Sequence, residues 1–313
     1  MPNTLELRKV SKSYDKFVAV DDLSLTIEKG SVFGLLGPNG AGKTSSLRMM
    51  IGITLPDSGE VFVFGEPFRR ELLDRIGYLP EERGLYKKMK LMDQVVFLAQ
   101  LKGLSEPEAR KRAKAWFERL ELSAWMDKKV EELSKGMQQK VQFIAGILHD
   151  PEFVILDEPF SGLDPANADM LKDILIEQRK AGKTILFSTH RMDQVEKLCD
   201  SICLIDHGRA VLQGELRAVK ARFGRNHVQI EYEGDGDFLH NEPAVQSIHN
   251  FGNYVEVEMK PGADPQQLLL ALAARARINR FELAEPSLEK IFIDTVRLNG
   301  KQNSMQKGAE QHA

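Results

Sequence analysis

One short stretch of this sequence has the residue types and the spacing of a loop that binds phosphate. It comprises Gly37, Pro38, Asn39, Gly40, Ala41, Gly42, Lys43 and Thr44. The glycines let successive backbone N–H groups turn toward phosphate oxygens, because no Cβ blocks the required conformations. Lys43 adds a positive charge for the terminal phosphates, and the Thr44 hydroxyl can bind Mg²⁺. The stretch therefore predicts a nucleotide-phosphate site without specifying the reaction.

Two adjacent carboxylates, Asp157 and Glu158, supply groups for metal binding and proton transfer. They follow the apolar run FVIL, which is typical of a strand buried on both faces. Ligands of open α/β sheets bind at the carboxyl ends of the strands, so both side chains should face such a crevice. Asp157 would hold Mg²⁺ through water, and Glu158 would take a proton from an attacking water molecule. An acidic pair after an apolar strand is common, and the preceding phosphate loop makes this one informative.

The elements that must position these residues alternate between strand and helix patterns. The N-terminal residues alternate between apolar and polar types, as half-buried antiparallel strands do. Continuous apolar runs then occur at 31–37, 152–158, 183–190 and 200–206, with helical patterns between them. This order predicts an α/β fold with a mostly parallel sheet and helices on both faces. The strand before the glycine-rich stretch and the helix after it argue against a chance glycine-rich turn.

Changes in residue pattern and composition along the sequence divide the chain into a large domain, an accessory domain and a tail. Residues 1–224 form the predicted nucleotide-binding domain, with a helical insertion at about 85–150 in which Ser105 and Glu108 predict a capping box. Residues 225–298 predict a small α+β domain without clustered catalytic groups, so we expect it to serve regulation or assembly. Residues 299–313 are polar and predict a disordered tail.

Composition excludes several classes of protein. The net charge of −3 gives no basic footprint for nucleic acid, so no nucleic-acid partner is expected. The two cysteines, Cys199 and Cys203, provide neither a disulfide framework nor the spacing of a zinc site. The first ten residues lack the apolar core of a signal peptide, and no apolar run reaches the roughly 18–20 residues that span a bilayer. We therefore expect a cytoplasmic protein that depends on a partner for any membrane segment.

Further motifs resemble those of one family. LSKGMQQK, which starts at Leu133 and is here called the signature segment, resembles the signature of ATP-binding cassette (ABC) ATPases, a class of P-loop NTPases. SGLD at 161–164 resembles the D-loop of that family, STH ending at His190 its switch histidine, and SKSYDKF the segment with its adenine-stacking aromatic. Together with the phosphate loop and the acidic pair, these motifs cover roughly Leu5 to Gln213.

The resemblance implies roles for individual residues and two cofactors, ATP and Mg²⁺. Tyr14 would stack on adenine, and His190 would contact the γ-phosphate and the catalytic water. Two subunits would enclose each ATP, so Ser134 and the Gly136 backbone would touch the γ-phosphate bound by the other subunit. Asp164 would lie at the seam of that dimer.

Two departures from the family pattern bear on these roles. The signature segment has Lys135 and Met137 where the family usually has Gly and Gln, but it keeps the two residues that face phosphate. Glu81 stands where the family usually has a Gln that contacts the metal. A carboxylate at this position would bind Mg²⁺ directly or through water. Alternatively, Glu81 points to solvent and pairs with Arg83 or Lys87.

The resemblance extends to exporter-type cassettes whose permease is a separate chain. It implies a polytopic membrane permease, a second ATP-binding subunit that is identical or homologous, and a peripheral position on the cytoplasmic face of the membrane. Residues 85–101 would receive a cytoplasmic helix of the permease. One alternative is an ABC-type ATPase that acts on ribosomes or nucleic acid, although such proteins resemble tandem cassettes or carry coiled coils or zinc cysteines. The other is a regulatory module that no longer hydrolyses ATP, which the intact catalytic groups disfavour.

Overall fold

The computed structural model describes residues 3–82, 84–223, 226–234 and 236–295. The chain forms two compact units, Met1–Gln213 and Gly214–Ala313, here called unit 1 and unit 2. The predicted tail at 299–313 lies outside the described residues. No helix among the described residues is long and apolar enough to cross a membrane.

The described residues of unit 1 form ten strands, the last of which extends two residues into unit 2, and six α-helices. The strands are β1 (Asn3–Tyr14), β2 (Phe17–Glu28), β3 (Val32–Leu36), β4 (Ser58–Val63), β5 (Glu66–Pro67), β6 (Ile76–Leu79), β7 (Phe153–Asp157), β8 (Thr184–Thr189), β9 (Ser201–Asp206) and β10 (Arg209–Glu215). The helices are α1 (Lys43–Met50), α2 (Leu91–Gln100), α3 (Glu106–Arg119), α4 (Lys135–Ile147), α5 (Pro165–Lys180) and α6 (Met192–Leu198). Short 3₁₀ helices occupy Arg70–Arg75, Ser123–Trp125 and Val130–Glu132.

A six-stranded sheet forms the base of unit 1, in the order β10-β9-β3-β8-β7-β6. The five strands from β9 to β6 are parallel to their neighbours. All residues of β3, β7 and β8 are buried, which explains why the middle of each strand is apolar on both faces rather than alternating. The prediction of an α/β fold with a mostly parallel sheet is confirmed.

The N-terminal strands form a second sheet, in the order β2-β1-β4-β5, with antiparallel pairing. Its alternating pattern buries Leu5, Leu7 and Leu25 in the same core cluster as Phe33 of β3 and Met50 of α1. The antiparallel N-terminal strands were correctly predicted. Because α1 packs into this shared core, the position of its first turn is fixed relative to both sheets.

The helical insertion contains α2, α3 and α4. The capping box predicted for α3 is wrong: Ser105 is the N-cap residue, but its side chain makes no cap hydrogen bond. Glu108 instead accepts a hydrogen bond from Arg112 Nε at 2.7 Å, one turn along the helix. That ion pair uses the carboxylate that the capping box would need.

Unit 2 is built on a four-stranded antiparallel sheet. Its elements are α7 (Leu216–Arg222), β11 (His227–Glu233), β12 (Val245–Asn250), β13 (Val255–Met259), α8 (Pro265–Ala273), β14 (Arg277–Ala284) and a final helix, α9, at 288–295, with a 3₁₀ helix at Asp237–Asn241. The strand order is β12-β13-β11-β14. Val228, Val257 and Leu268 lie in a core cluster separate from that of unit 1. The expected small α+β fold is therefore present.

Candidate nucleotide site

The phosphate loop connects the end of β3 to the start of α1. Gly42 is the N-cap of α1 and has φ +105°. A Cβ at this position would lie 2.3 Å from the Ala19 carbonyl oxygen, so only glycine fits. Lys43 is 7% exposed, and its Nζ donates to the carbonyl oxygens of Gly37 at 2.8 Å and Pro38 at 3.2 Å. The loop thus holds its lysine close to its own backbone.

Thr44 and Asp157 lie side by side at the carboxyl edge of the parallel sheet. Thr44 Oγ1 donates to Asp157 Oδ2 at 2.9 Å, and Ser188 Oγ donates to the other carboxylate oxygen. A hydroxyl beside a buried carboxylate fits Mg²⁺, which usually takes one or two protein oxygens together with water and phosphate oxygens. Within the described part of the chain, no group of three or more His, Cys, Asp and Glu could hold a metal.

Glu158 lies at the centre of a dense set of polar contacts. Its Oε1 accepts from the His190 backbone N–H at 3.1 Å and lies 2.9 Å from His190 Nδ1. Its Oε2 accepts from Thr189 Oγ1 at 3.2 Å, and Lys43 Nζ lies 3.8 Å from Oε1. Only 7% of the residue is exposed. The carboxylate is therefore held in one orientation by groups from β8 and α1.

The backbone of Glu158 adopts an unusual conformation. Its φ is +48°, in the left-handed region that side chains other than glycine rarely occupy. The Glu158 N–H donates to the carbonyl oxygen of Ser188 at 3.1 Å and to its Oγ at 3.2 Å, which stabilises the turn after β7. Such strain costs about 1–3 kcal/mol and concentrates at functional sites.

The contact between His190 and Glu158 defines the hydrogen bonding of the imidazole ring. An ionised carboxylate can only accept, so His190 Nδ1 donates to Glu158 Oε1. In the neutral ring, Nε2 is then an acceptor. The His190 side chain is 52% exposed, so this nitrogen can reach a ligand in the open crevice. The two predicted catalytic residues are thus brought together.

The residues around the phosphate loop line a pocket of about 370 Å³. The lining comprises Phe17, Ala19, Asn39, Gly40, Gly42, Lys43, Thr44, Ser45, Glu81, Asp157 and Glu158. Parallel register explains this convergence, because β3, β6 and β7 end at the same edge of the sheet. The pocket unites the predicted phosphate-binding residues with the predicted metal-binding carboxylates.

Glu81 lies at the wall of this pocket with an exposed side chain. Burial raises the pKa of neighbouring Tyr78 to about 12, and the negative charges of Asp157 and Glu81 add to that rise. Among the described residues Glu81 makes no ion pair with Lys87, while Arg83 lies outside them. The metal-binding role of Glu81 stays a prediction, as does the alternative pair with Arg83.

Eight predicted site residues do not line the pocket. Gly37, Pro38 and Ala41 belong to the phosphate loop itself, and His190 contacts Glu158. The other four are Tyr14, Ser134, Gly136 and Asp164. Ser134 is the N-cap of α4, where its Oγ accepts from the Met137 N–H at 3.3 Å, and Gly136 lies in the first turn of the same helix. Asp164 caps α5, and the Asn167 N–H at 3.0 Å lowers the pKa of its carboxyl. Tyr14 is exposed at the tip of the β1–β2 hairpin. Their roles toward a second subunit and toward adenine stay predictions.

Three residues of the site, Phe17, Ser188 and Thr189, were not predicted from the sequence. Phe17 lines the pocket and pairs with Tyr14 across the hairpin. Ser188 donates a hydrogen bond to Asp157, and Thr189 donates one to Glu158. The latter two belong to the STH motif, so their position directly before the predicted switch histidine was the available signal. For Phe17 the only indication in the sequence was its place in a hairpin. It is an aromatic residue two positions after Asp15 and opposite Tyr14.

A second cavity of about 370 Å³ lies between the parallel sheet and the helical insertion and is mostly apolar. Its lining comprises Ile51, Ile53, Leu73, Ile76, Tyr78, Pro80, Gly84, Leu85, Leu98, Leu101, Lys102, Gln142, Ala145, Gly146 and His149. Leu85, Leu98 and Leu101 come from the segment predicted to receive a permease helix. This cavity is called the apolar cavity below.

Comparison with known proteins links both units to transport ATPases. The family model described as ABC transporter matches residues 20–161, and the model described as ATP-binding protein DrrA1-3-like, C-terminal domain, matches residues 214–296. An uncharacterised ABC transporter ATP-binding protein of Bacillus subtilis, YhaQ, is 44% identical over 93% of this chain and 98% of its own length. Nod factor export ATP-binding protein I of Sinorhizobium fredii is 34% identical over 95% of this chain and 86% of its own length.

A solved structure gives the same result. It is described as the ATP-binding subunit of an ABC transporter, and it is 31% identical to this chain. The match covers 71% of this chain and 93% of that chain, with a TM-score of 0.65. Sequence and fold comparisons therefore agree on the same group of proteins.

Proposed function

This chain belongs to the ATP-binding subunits of ABC transporters, and we propose that Glu158 is the general base of its ATP hydrolysis. The chain is an ABC-type ATPase that drives transport by an exporter-type complex. The observation that carries the catalytic assignment is the buried Glu158 carboxylate, held by His190 and Thr189 beside Lys43. This carboxylate ends a strand at the same edge as the phosphate loop.

The residues of the pocket divide the work of hydrolysis. The phosphate loop and Lys43 hold the triphosphate, and Thr44 and Asp157 would hold Mg²⁺, with Glu81 as a third oxygen donor at the pocket wall. Bound Mg²⁺ neutralises charge on the phosphates. Glu158 accepts the proton of the attacking water, and His190 Nε2, an acceptor in the neutral ring, orients that water. A contact of the same nitrogen with the γ-phosphate would require the ring to be protonated at both nitrogens. Stacking of Tyr14 on adenine completes the nucleotide site.

A second ATP-binding subunit would complete each site. Ser134, Gly136 and Asp164 do not line the pocket of their own chain, which supports a role toward a neighbouring subunit. Ser134 caps the exposed start of α4, whose free backbone N–H groups and positive dipole end favour an anion. The γ-phosphate bound by a partner cassette would supply that anion.

The apolar cavity supports the proposal of a permease partner. Leu85, Leu98 and Leu101 provide an apolar surface on the helical insertion, and Leu101 remains 66% exposed. A cytoplasmic helix of a separately encoded permease would bury these side chains and place the ATPase at the inner face of the membrane. The Nod factor export relative supports an exporter, whereas the comparisons offer nothing for the ribosomal or nucleic-acid alternative.

Photo-crosslinking at Leu101 tests this proposal. A photoreactive amino acid at Leu101 should form an adduct with an integral membrane protein in intact cells, and the adduct should appear in the membrane fraction. Ile176 on α5, 37% exposed and absent from the cavity lining, is the matched control position and should not give that adduct. An adduct with a ribosomal protein or with RNA would instead support the alternative.

A further inference from the structure

One buried side chain ties the loop that carries Glu81 to helix α4. Gln142 lies in the middle of α4 and is 5% exposed. Its Nε2 donates to the carbonyl oxygen of Pro80 at 3.1 Å and to that of Glu82 at 3.1 Å. The two carbonyl groups stand on either side of Glu81. A single amide group therefore fixes the backbone from which the Glu81 side chain extends.

Glu81 has no comparable anchor of its own. Its side chain is exposed and makes no hydrogen bond or ion pair with the described residues, although it lines the phosphate pocket. The strand that leads to it, β6, ends at Leu79. The loop backbone thus sets the point from which the Glu81 side chain extends, and no side-chain contact among the described residues holds its carboxylate.

Helix α4 is itself seated firmly on β6. A Cβ at Gly77 of β6 would lie 2.3 Å from the carbonyl oxygen of Gly146, so strand and helix are in direct backbone contact there. Gln142 lies one helical turn before Gly146, on the side of the signature segment. A rotation of α4 about this contact would move Gln142 and, with it, the two carbonyl groups that flank Glu81.

Gln142 also faces the apolar cavity. Gln142 and Pro80 both belong to the cavity lining. Gln142 Oε1 is buried and has no hydrogen-bond partner among the described residues, so the amide has a free acceptor in addition to its two donated bonds. One residue thus contacts the cavity, the signature helix and the loop at the phosphate pocket.

We propose that Gln142 is a positioning residue that holds the Glu81 carboxylate at the phosphate pocket and couples its position to α4. This inference rests on the metal-binding role given to Glu81 under the proposed function. Loss of the amide donor releases the backbone at Pro80 and Glu82, and Glu81 then no longer maintains its place beside Thr44 and Asp157. The Mg²⁺ requirement of hydrolysis rises as a result.

A double-mutant cycle on the full-length protein tests the coupling. Glu81→Ala, Gln142→Leu and the double variant are compared with the original chain by titrating Mg²⁺ against the ATPase rate at saturating ATP. Each single variant should raise the half-saturating Mg²⁺ concentration roughly threefold or more. The double variant should be no worse than Glu81→Ala alone, because residues that act through one contact are not additive.

Two further variants separate positioning from packing. Gln142→Met keeps the length of the side chain but has no donor, so it should behave like Gln142→Leu and also serves if the leucine variant does not fold. Gln94→Leu on α2 removes another fully buried amide, whose side-chain atoms have no hydrogen-bond partner among the described residues. This control should leave the Mg²⁺ curve unchanged.

The outcomes distinguish failure of the inference from failure of its premise. If Glu81→Ala shifts the Mg²⁺ curve but neither Gln142 variant does, Gln142 is not a positioning residue, while Glu81 keeps its role. Additive shifts in the double variant would likewise overturn the inference. If Glu81→Ala leaves the curve superimposable on that of the original chain, the metal-binding role of Glu81 fails and the inference with it.

Discussion

Each unit of this protein contains a nearly fully buried lysine close to carboxylates, and the two lysines differ in how their charges are paired. Lys43 of unit 1 is 7% exposed, and Lys290 of unit 2 is 2% exposed. Lys290 Nζ lies 2.7 Å from Asp294 and 3.6 Å from Glu258, so its charge is neutralised by close partners. Lys43 Nζ donates to backbone carbonyl oxygens, and its nearest carboxylate, Glu158, is 3.8 Å away at an open pocket.

The difference shows which buried charges indicate chemistry. A buried ion is costly unless it is paired, and Lys290 meets that condition within its own fold. Lys43 is only loosely paired and lies at a pocket wall beside a carboxylate with a strained backbone. Burial of charge alone therefore does not identify a site. A buried charge that is incompletely paired and faces an open pocket does identify a site.

The largest expected effect would come from Glu158, the carboxylate nearest to Lys43. Glu158→Gln keeps the size of the side chain and removes the proton acceptor, so ATP turnover should fall by about 10²–10⁴-fold. ATP should still bind, and the ATP-bound dimer should accumulate. Turnover and size-exclusion mass in the presence of ATP check this. Near-normal turnover in the Glu158→Gln variant would show that Glu158 is not the general base.

A smaller effect is expected when the positive charge of Lys43 is removed. Lys43→Met keeps much of the apolar stem and eliminates the contacts with phosphate, which are each worth about 1.5–3 kcal/mol. The dissociation constant for ATP should therefore rise by about 10- to 100-fold, with little change in thermal stability. Isothermal titration of ATP gives the first quantity. Unchanged affinity would show that Lys43 is structural, as Lys290 is.

The matched change in unit 2 should affect stability only. Lys290→Met leaves Asp294 and Glu258 facing each other without their cation, which should lower the free energy of unfolding by about 2–3 kcal/mol. This is below the value for a fully buried pair, because both carboxylates keep some contact with water. Chemical denaturation measures this loss, and ATP affinity should stay unchanged. A large loss of ATP affinity in the folded variant would contradict the contrast between the two lysines.

The sequence predicted the parts of the site that depend on local pattern. The phosphate loop, the carboxylates after β7 and the histidine after β8 each follow a buried apolar strand, and parallel strands necessarily end at one edge. The local sequence pattern did not predict which side chains form hydrogen bonds with each other. The contact of His190 with Glu158 depends on the register that aligns Asp157 with Ser188, and this register is a property of the folded sheet.

Other features could not be predicted because they depend on contacts between distant segments. The sequence of β12, VQSIHN, does not predict a strand, since it lacks a clear alternation of apolar and polar residues, and β12 pairs as an edge strand with β13. The two carbonyl groups held by Gln142 are 60 and 62 residues away in the chain. Ser105 and Glu108 had the spacing of a capping box, but a competing ion pair with Arg112 prevented it. Local sequence patterns do not predict a side-chain contact where that side chain has more than one possible partner.

The left-handed backbone at Glu158 has a consequence for how such a protein could decay. Glycine and asparagine adopt φ +48° more easily than glutamate does, so either residue at this position would relieve strain while abolishing the proton acceptor. In a gene copy released from selection for hydrolysis, substitutions at this codon would thus be retained rather than purged by misfolding. An inactive descendant of this ATPase with glycine or asparagine at this position should accordingly keep the turn after β7.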